Sequence, residues 1–156
     1  MRSNTTDVGL PVLTFQLGEQ TYALPIAQVV EVAAMVQLTN LLHTRPEVLG
    51  AASRHGEVLP MLDLGQVMGT GSIAFDEETL FIVVQRSGQG SAGAMCGLVV
   101  ELVQQVQYLA PQHITQNGVS QYIHGITTHH TNLIQILDMN TIMDTYLARA
   151  NTVEGE

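Results

Sequence analysis

Six histidines, one cysteine and a scatter of carboxylates are the side chains of this chain that could hold an ion or act on a substrate. The histidines are His43, His55, His113, His124, His129 and His130, and only the last three crowd together, as His124-x4-His129-His130. A zinc site needs imidazole or thiolate ligands spaced so that several converge. This spacing matches no such signature, and alternation aims adjacent side chains of an extended segment to opposite sides. The pair sits in His129-His130-Thr131-Asn132, where a hairpin turn is expected. Solvated turn residues are the reading, and no metal is expected.

Nucleophilic catalysis needs a nucleophile placed beside a base. No Gly-x-Ser-x-Gly elbow is present, and Cys96 lies in the apolar run Ala94-Met-Cys-Gly-Leu98, which reads as a buried structural thiol. A single cysteine also rules out an internal disulfide and a multi-cysteine metal site. The Gly-rich run Ser87–Gly93 has neither the Lys nor the following helix of a phosphate-binding loop, so it reads as a flexible hairpin connection. Glu31, Asp63, Glu101 and Asp138 fall at equivalent strand ends in a repeated plan, where paired acids could do acid–base work. No partnering motif surrounds them, and Asp63 and Asp138 are expected in helix caps and ion pairs. No catalytic residue and no cofactor are expected.

The elements that position these residues are mostly strands. Leu13, Phe15 and Leu17 alternate with Thr14 and Gln16, and the alternation restarts at Tyr22, Leu24 and Ile26 after a Gly18-Glu19-Gln20 turn. That pattern is a β-hairpin. Further short strands are expected at Val58–Leu62, Thr79–Gln85, Met95–Val100, Leu102–Leu109, Tyr122–Thr127 and Leu133–Leu137. A brief helical turn is expected over Asp63–Met68. A C-terminal helix is expected from Ile142, Tyr146, Leu147 and Ala150, with Asp138 or Asn140 as its cap. The segment Ala27–Val36 carries more apolar residues than one buried strand face requires. It is either a strand buried on both faces or an exposed patch for a partner.

The chain repeats itself. Gly50–Leu64 aligns with Gly125–Met139 at an offset of 75, and Leu24–Val29 aligns with Leu98–Val103 at an offset of 74. The opening strands match through Phe15 and Phe81. Short β segments resemble one another, but three matches in the same order argue for two copies of one unit. Each copy is small for a core of its own, so the halves should share buried surface, with a groove between them.

The chain has 156 residues, 46% hydrophobic and 12% charged, enough apolar surface for a core. Five arginines, no lysine and 14 acids give a net charge of −9. That balance lacks the cationic footprint for nucleic acid or an anionic membrane surface. No apolar run approaches the ~20 residues of a membrane span. The start, MRSNTTDVGLP, lacks the apolar stretch of a secretory signal, so a cytoplasmic location is expected.

Several ordered stretches resemble a known family. Phe15-Gln-Leu-Gly-Glu-Gln-Thr-Tyr22-Ala-Leu-Pro-Ile26-x-x-Val29-x-Glu31-Val32 is similar to the opening of a CheW-like domain. So is Gly50-x5-Gly56-x-Val58-Leu59-Pro60-Met61-Leu62-Asp63-Leu64. The likeness continues in Gly97-Leu-Val-Val-Glu101-x-Val103, Tyr122-Ile-x-Gly125-Ile126 and Leu133-Ile-x-Ile-Leu-Asp138. It implies a mainly β fold of two small five-stranded β-barrels packed together with a C-terminal helix. The single domain would span 12–147, its halves roughly 15–68 and 79–138 intertwined, with flexible tails at 1–11 and 151–156.

The resemblance also implies a non-enzymatic adaptor that couples chemoreceptors to a CheA-type histidine kinase. Apolar surface around Leu17, Val29, Val30 and Val32 would meet the kinase regulatory domain. A groove around Glu31, His55 and Val58 would take the receptor's cytoplasmic helical hairpin. The alternative is a small-molecule or nucleotide-binding β module using the groove between the barrels. Two departures stand out: His55 of Ser53-Arg54-His55-Gly56 occupies the place of an arginine in the family's Asn-Leu-Arg-Gly, and Glu101 replaces a usual Asp. A Glu31–His55 contact would make receptor binding fall as pH rises.

Overall fold

The structure, a computed structural model, describes residues 9–42, 44–88, 95–116 and 120–147. His43, Ala150, residues 89–94 of the Gly-rich connection, and the tails 1–8 and 151–156 lie outside the described residues. Ten strands and two short helices follow one another: β1 (Leu10–Leu17), β2 (Gln20–Pro25), β3 (Val29–Ala34), β4 (Val48–Arg54), β5 (Glu57–Asp63), α1 (Leu64–Met68), β6 (Leu80–Gln85), β7 (Met95–Val99), β8 (Leu102–Leu109), β9 (Ile123–His129), β10 (Asn132–Leu137) and α2 (Met139–Tyr146).

Alternation sets the first hairpin as expected. Phe15 faces Tyr22 across β1 and β2 with ring centroids 6.1 Å apart. β1 begins inside the segment expected as a tail, because Leu10 and Pro11 pair with Leu109 and Tyr108 of β8. β4 carries Gly50, Ala51, Ala52 and Ser53, residues of low strand propensity. Its ladder with β5 makes it a strand.

The strands form two five-stranded sheets, ordered β8-β1-β2-β10-β9 and β3-β6-β7-β5-β4. Adding five to each strand number of the first half, and subtracting five in the second, turns one order into the other. Each sheet therefore takes the first two strands of one half and the last three of the other. The exchange is made through two parallel pairings, β2 with β10 and β7 with β5. Neither half owns a complete sheet. Phe15, Leu17 and Leu24 of one sheet join Met61, Ile82 and Leu98 of the other in one core, all of them buried. The two copies fold as one unit.

Neither sheet closes into a barrel by a continuous ladder. In each, the chain leaving the edge strand swings across to the opposite edge and makes one isolated bridge: Thr39 with Ala51, and Thr115 with Ile126. The bridging N–H to O distances are 2.8–2.9 Å. This crossing explains the glycine that opens each repeated stretch. A Cβ on Gly50 would stand 2.5 Å from the Thr39 carbonyl oxygen, and one on Gly125 would stand 2.6 Å from Ile114 Cγ2.

Both expected caps form. The Asp63 carboxylate accepts from the N–H of Gln66 at the start of α1, and Asp138 accepts from the N–H of Thr141 in α2. Asp63 is buried and also accepts from the N–H of Ile73 at 3.0 Å, pinning the connection between the halves. Asn140 is not a cap; it accepts from the N–H of Ser87 at 3.0 Å. Arg86 reaches Asp144 at 2.7 Å, so α2 holds the end of β6. Ile142 and Tyr146 are buried as the helical spacing requires.

Candidate functional site

β3 is an edge strand with two different faces. Val30 and Val32 point outward at 37% and 39% exposure, and Val36 continues the stripe at 48%. Val29 and Ala33, in alternation with them, pack against the core. The apolar excess of Ala27–Val36 thus stands partly outside, on a strand that pairs only with β6. Leu17 does not join this surface. It is 1% exposed, because it lies on the inward face of β1 with Leu13 and Phe15. Val29 is half-buried for the same reason. The expected kinase-facing set reduces to Val30 and Val32.

Glu31 occupies the face of β3 opposite those valines. Its carboxylate is taken by Arg54, not by His55: Arg54 Nε donates to Glu31 Oε2 at 2.7 Å. This hydrogen bond, more than the charge of Arg54 or of His55, holds the Glu31 carboxyl below its ordinary value. The β4–β5 turn explains the choice. Arg54 pairs with Glu57, leaving His55 and Gly56 as a two-residue loop with φ of 50° and 80°. Positive φ at both positions is the geometry of a tight hairpin turn. It takes His55 off the strand and into solvent while Arg54 stays within reach of Glu31. Since β3 and β4 are the two edges of their sheet, the ion pair ties one edge to the other.

Val58 is 76% exposed. The register sets it opposite Ser53, and Arg54 opposite Glu57. Side chains alternate along a strand, so Val58 and the ion pair lie on opposite faces of the β4–β5 ribbon. The expected receptor groove is therefore a rim with an ionic side and an apolar side.

The remaining polar residues sort themselves. Glu101 is not the counterpart of Glu31, which the 74-residue offset aligns with Gln105. Instead Glu101 accepts from the N–H of Gly18 at 2.6 Å and anchors the β1–β2 turn. His130 matches His55 in the repeat and shares its positive φ, 61°. That turn geometry breaks the alternation expected to part His129 from His130, and their rings meet edge-on with centroids 4.3 Å apart. Among the described residues no three of His, Cys, Asp and Glu gather as metal ligands would. Cys96 is fully buried in β7, and burial pushes its thiol up to about 12. No helix among the described residues is long and apolar enough to cross a membrane.

A family model described as "CheW-like domain" matches residues 11–146. The chain belongs to the CheW-like domain family. Relatives within reach of its sequence include "Chemotaxis protein CheW" of Klebsiella aerogenes, 25% identical over 142 residues, covering 87% of this chain and 82% of that one. "Protein FrzA" of Myxococcus xanthus is 27% identical over 140 residues, covering 87% and 86%. Among solved structures, the scaffolding protein TtCheW of Thermoanaerobacter tengcongensis has the same fold at a TM-score of 0.73. It is 24% identical, and the match covers 83% of this chain and 89% of that one. This CheW-like chain thus shares its overall fold with a solved CheW structure.

Proposed function

We propose that this protein is a non-enzymatic coupling adaptor of a chemotaxis or related motility pathway, binding chemoreceptors on one side and a CheA-type histidine kinase on the other. The observation that carries this reading is the outward apolar stripe of Val30, Val32 and Val36 on an edge strand. Exposed apolar residues in a row on a sheet edge mark a surface meant to be covered. The kinase regulatory domain covers that stripe. The receptor's helical hairpin meets the rim of Glu31, Arg54, His55 and Val58, where ionic and apolar groups adjoin. The net charge of −9 favours partner surfaces bearing Arg or Lys.

The test is equilibrium binding of the full chain to a purified kinase regulatory domain and to a receptor-tip fragment. Val30→Asp leaves the fold intact, since the side chain already meets water. It weakens kinase binding by about thirtyfold, the scale of a buried anchor turned into an unpaired charge. A folded Val30→Asp protein that binds the kinase like the parent would remove the stripe from the interface.

A further inference from the structure

The second sheet has an opening that the adaptor reading does not use. A cleft of about 610 Å³ lies at one end of the β8-β1-β2-β10-β9 sheet. Every strand of that sheet contributes to it: Gln105 and Gln107 from β8, Gln16 from β1, Thr21 from β2, Asn132 from β10 and His129 from β9. It is the mouth of the curled sheet, inside one unit rather than between the two.

The duplication says what is missing there. The offset that aligns Val29 with Val103 carries Glu31 onto Gln105, and the offset that aligns Gly50 with Gly125 carries Arg54 onto His129. The ion pair that ties the edges of one sheet is thus replaced, in the other, by an amide and an imidazole. Among the described residues no hydrogen bond joins those two. The backbone of Gln105 is fixed by buried Thr14, whose hydroxyl donates to the Gln105 carbonyl at 3.0 Å. Its side-chain amide has no protein partner among the described residues. Gln107 adds a sharper demand: its Oε1 is buried with no hydrogen-bond partner among the described residues. A buried acceptor left unpaired is costly, and it calls for an N–H or O–H donor.

We propose that this mouth binds an uncharged amide ligand, either a free carboxamide or a short neutral peptide segment. The lining contains no Asp, Glu, Lys or Arg. With the lining imidazoles of His129 and His130 neutral, an ionic ligand would shed water there without meeting a counter-charge. Glutamine and asparagine side chains each offer donors and an acceptor, and the amide unit returns both. The volume lies within the roughly 300–1,000 Å³ usual for small-ligand sites.

The experiment is an NMR titration of the isotope-labelled full chain with four probes. N-acetylglycinamide represents a free amide and a doubly blocked triglycine represents a peptide, while N-acetylglycine and glycinamide are the anionic and cationic controls. The neutral probes produce saturable shifts at Gln105, Gln107, His129 and Asn132, and the charged ones bind about tenfold more weakly or not at all. Tighter binding of the blocked triglycine assigns a peptide source; equal binding of the two neutral probes assigns a free amide. The double variant Gln105→Glu with His129→Arg rebuilds the ionic tie of the other sheet and weakens neutral binding by about tenfold. Gln107→Leu gives the same loss by removing the unpaired acceptor, and serves if the double variant does not fold. Neutral probes that cause no saturable shifts at the mouth, charged probes that bind equally well, or folded variants that bind like the parent would each overturn the proposal.

Discussion

The two sheets share a plan and differ at their rims. At the rim of the β3-β6-β7-β5-β4 sheet, Arg54 and Glu31 lock the edges at 2.7 Å, whereas the matching positions of the other sheet hold Gln105 and His129 around a cleft. What the copies have in common is what the fold demands: the glycine under the crossing chain, the single edge bridge, and the aspartate that starts the helix. What differs is chemistry at the open ends, where a change of side chain leaves the sheet intact. The duplicated frame supplies two rims that have taken different residues without loss of architecture.

Four measurements break or sharpen this comparison. The helix caps should show the largest gap between copies. Asp63 is buried and accepts from the backbone N–H of both Gln66 and Ile73, so Asp63→Ala should cost about 3 kcal/mol in denaturant unfolding. Asp138 serves one backbone N–H from a half-buried position, so Asp138→Ala should cost about 1 kcal/mol. Equal losses would mean that the connection pinned at Ile73 contributes nothing.

The crossing glycines come next. Gly50→Ala drives a methyl into the backbone oxygen of Thr39, which cannot move without breaking its bridge, and should cost about 2 kcal/mol. At Gly125 the obstacle is the Ile114 Cγ2 methyl, a side-chain branch rather than backbone, so about 1 kcal/mol is expected. The reverse order would show that the second crossing is the stiffer one.

The third measurement follows pH. Arg54 holds the Glu31 carboxyl below its ordinary value. A depressed acid contributes fully above its unfolded pKa, and the contribution fades only as pH falls through the lower folded value. Receptor-fragment affinity should therefore stay flat from about pH 5.5 to about pH 8, both above the ordinary carboxylate range. Affinity that falls with rising pH, and no longer does so in His55→Ala, would return the contact to His55. High salt should weaken the tie, since Glu31 is partly exposed.

The smallest effect concerns Cys96. It is fully buried, its thiol pushed up to about 12, and it aligns with the equally buried Tyr22 of the other copy. Alkylation of the native protein should proceed only at the rate of unfolding. Rapid labelling of folded protein would show that β7 opens on its own.

Much of this frame was legible in the residues. The repeated Gly-to-Asp stretches marked both the crossing glycines and the caps, and period-two alternation marked eight of the ten strands. β4 escaped because Gly50-Ala-Ala-Ser53 shows neither alternation nor β-branched side chains. The exchange of strands between halves is a matter of long-range pairing, which local pattern does not encode. The family resemblance points Leu17 and Val29 to the surface. The alternation of Leu13, Phe15 and Leu17 already pointed the first of them inward. Arg54 was hidden by strand parity, since only the positive φ of His55 shows that the strand ends one residue earlier. The open rim had a signal in the sequence: carrying Glu31 and Arg54 across the repeat lands on an amide, Gln105, and an imidazole, His129.

The strand exchange has a consequence for a nicked molecule. A cut in the link between α1 and β6 would leave two fragments, each owning two strands of one sheet and three of the other. Such pieces stay clasped like interlaced fingers, because separating them would strip both parallel seams at once. Severed there, the molecule should behave as a tight heterodimer of its own two halves.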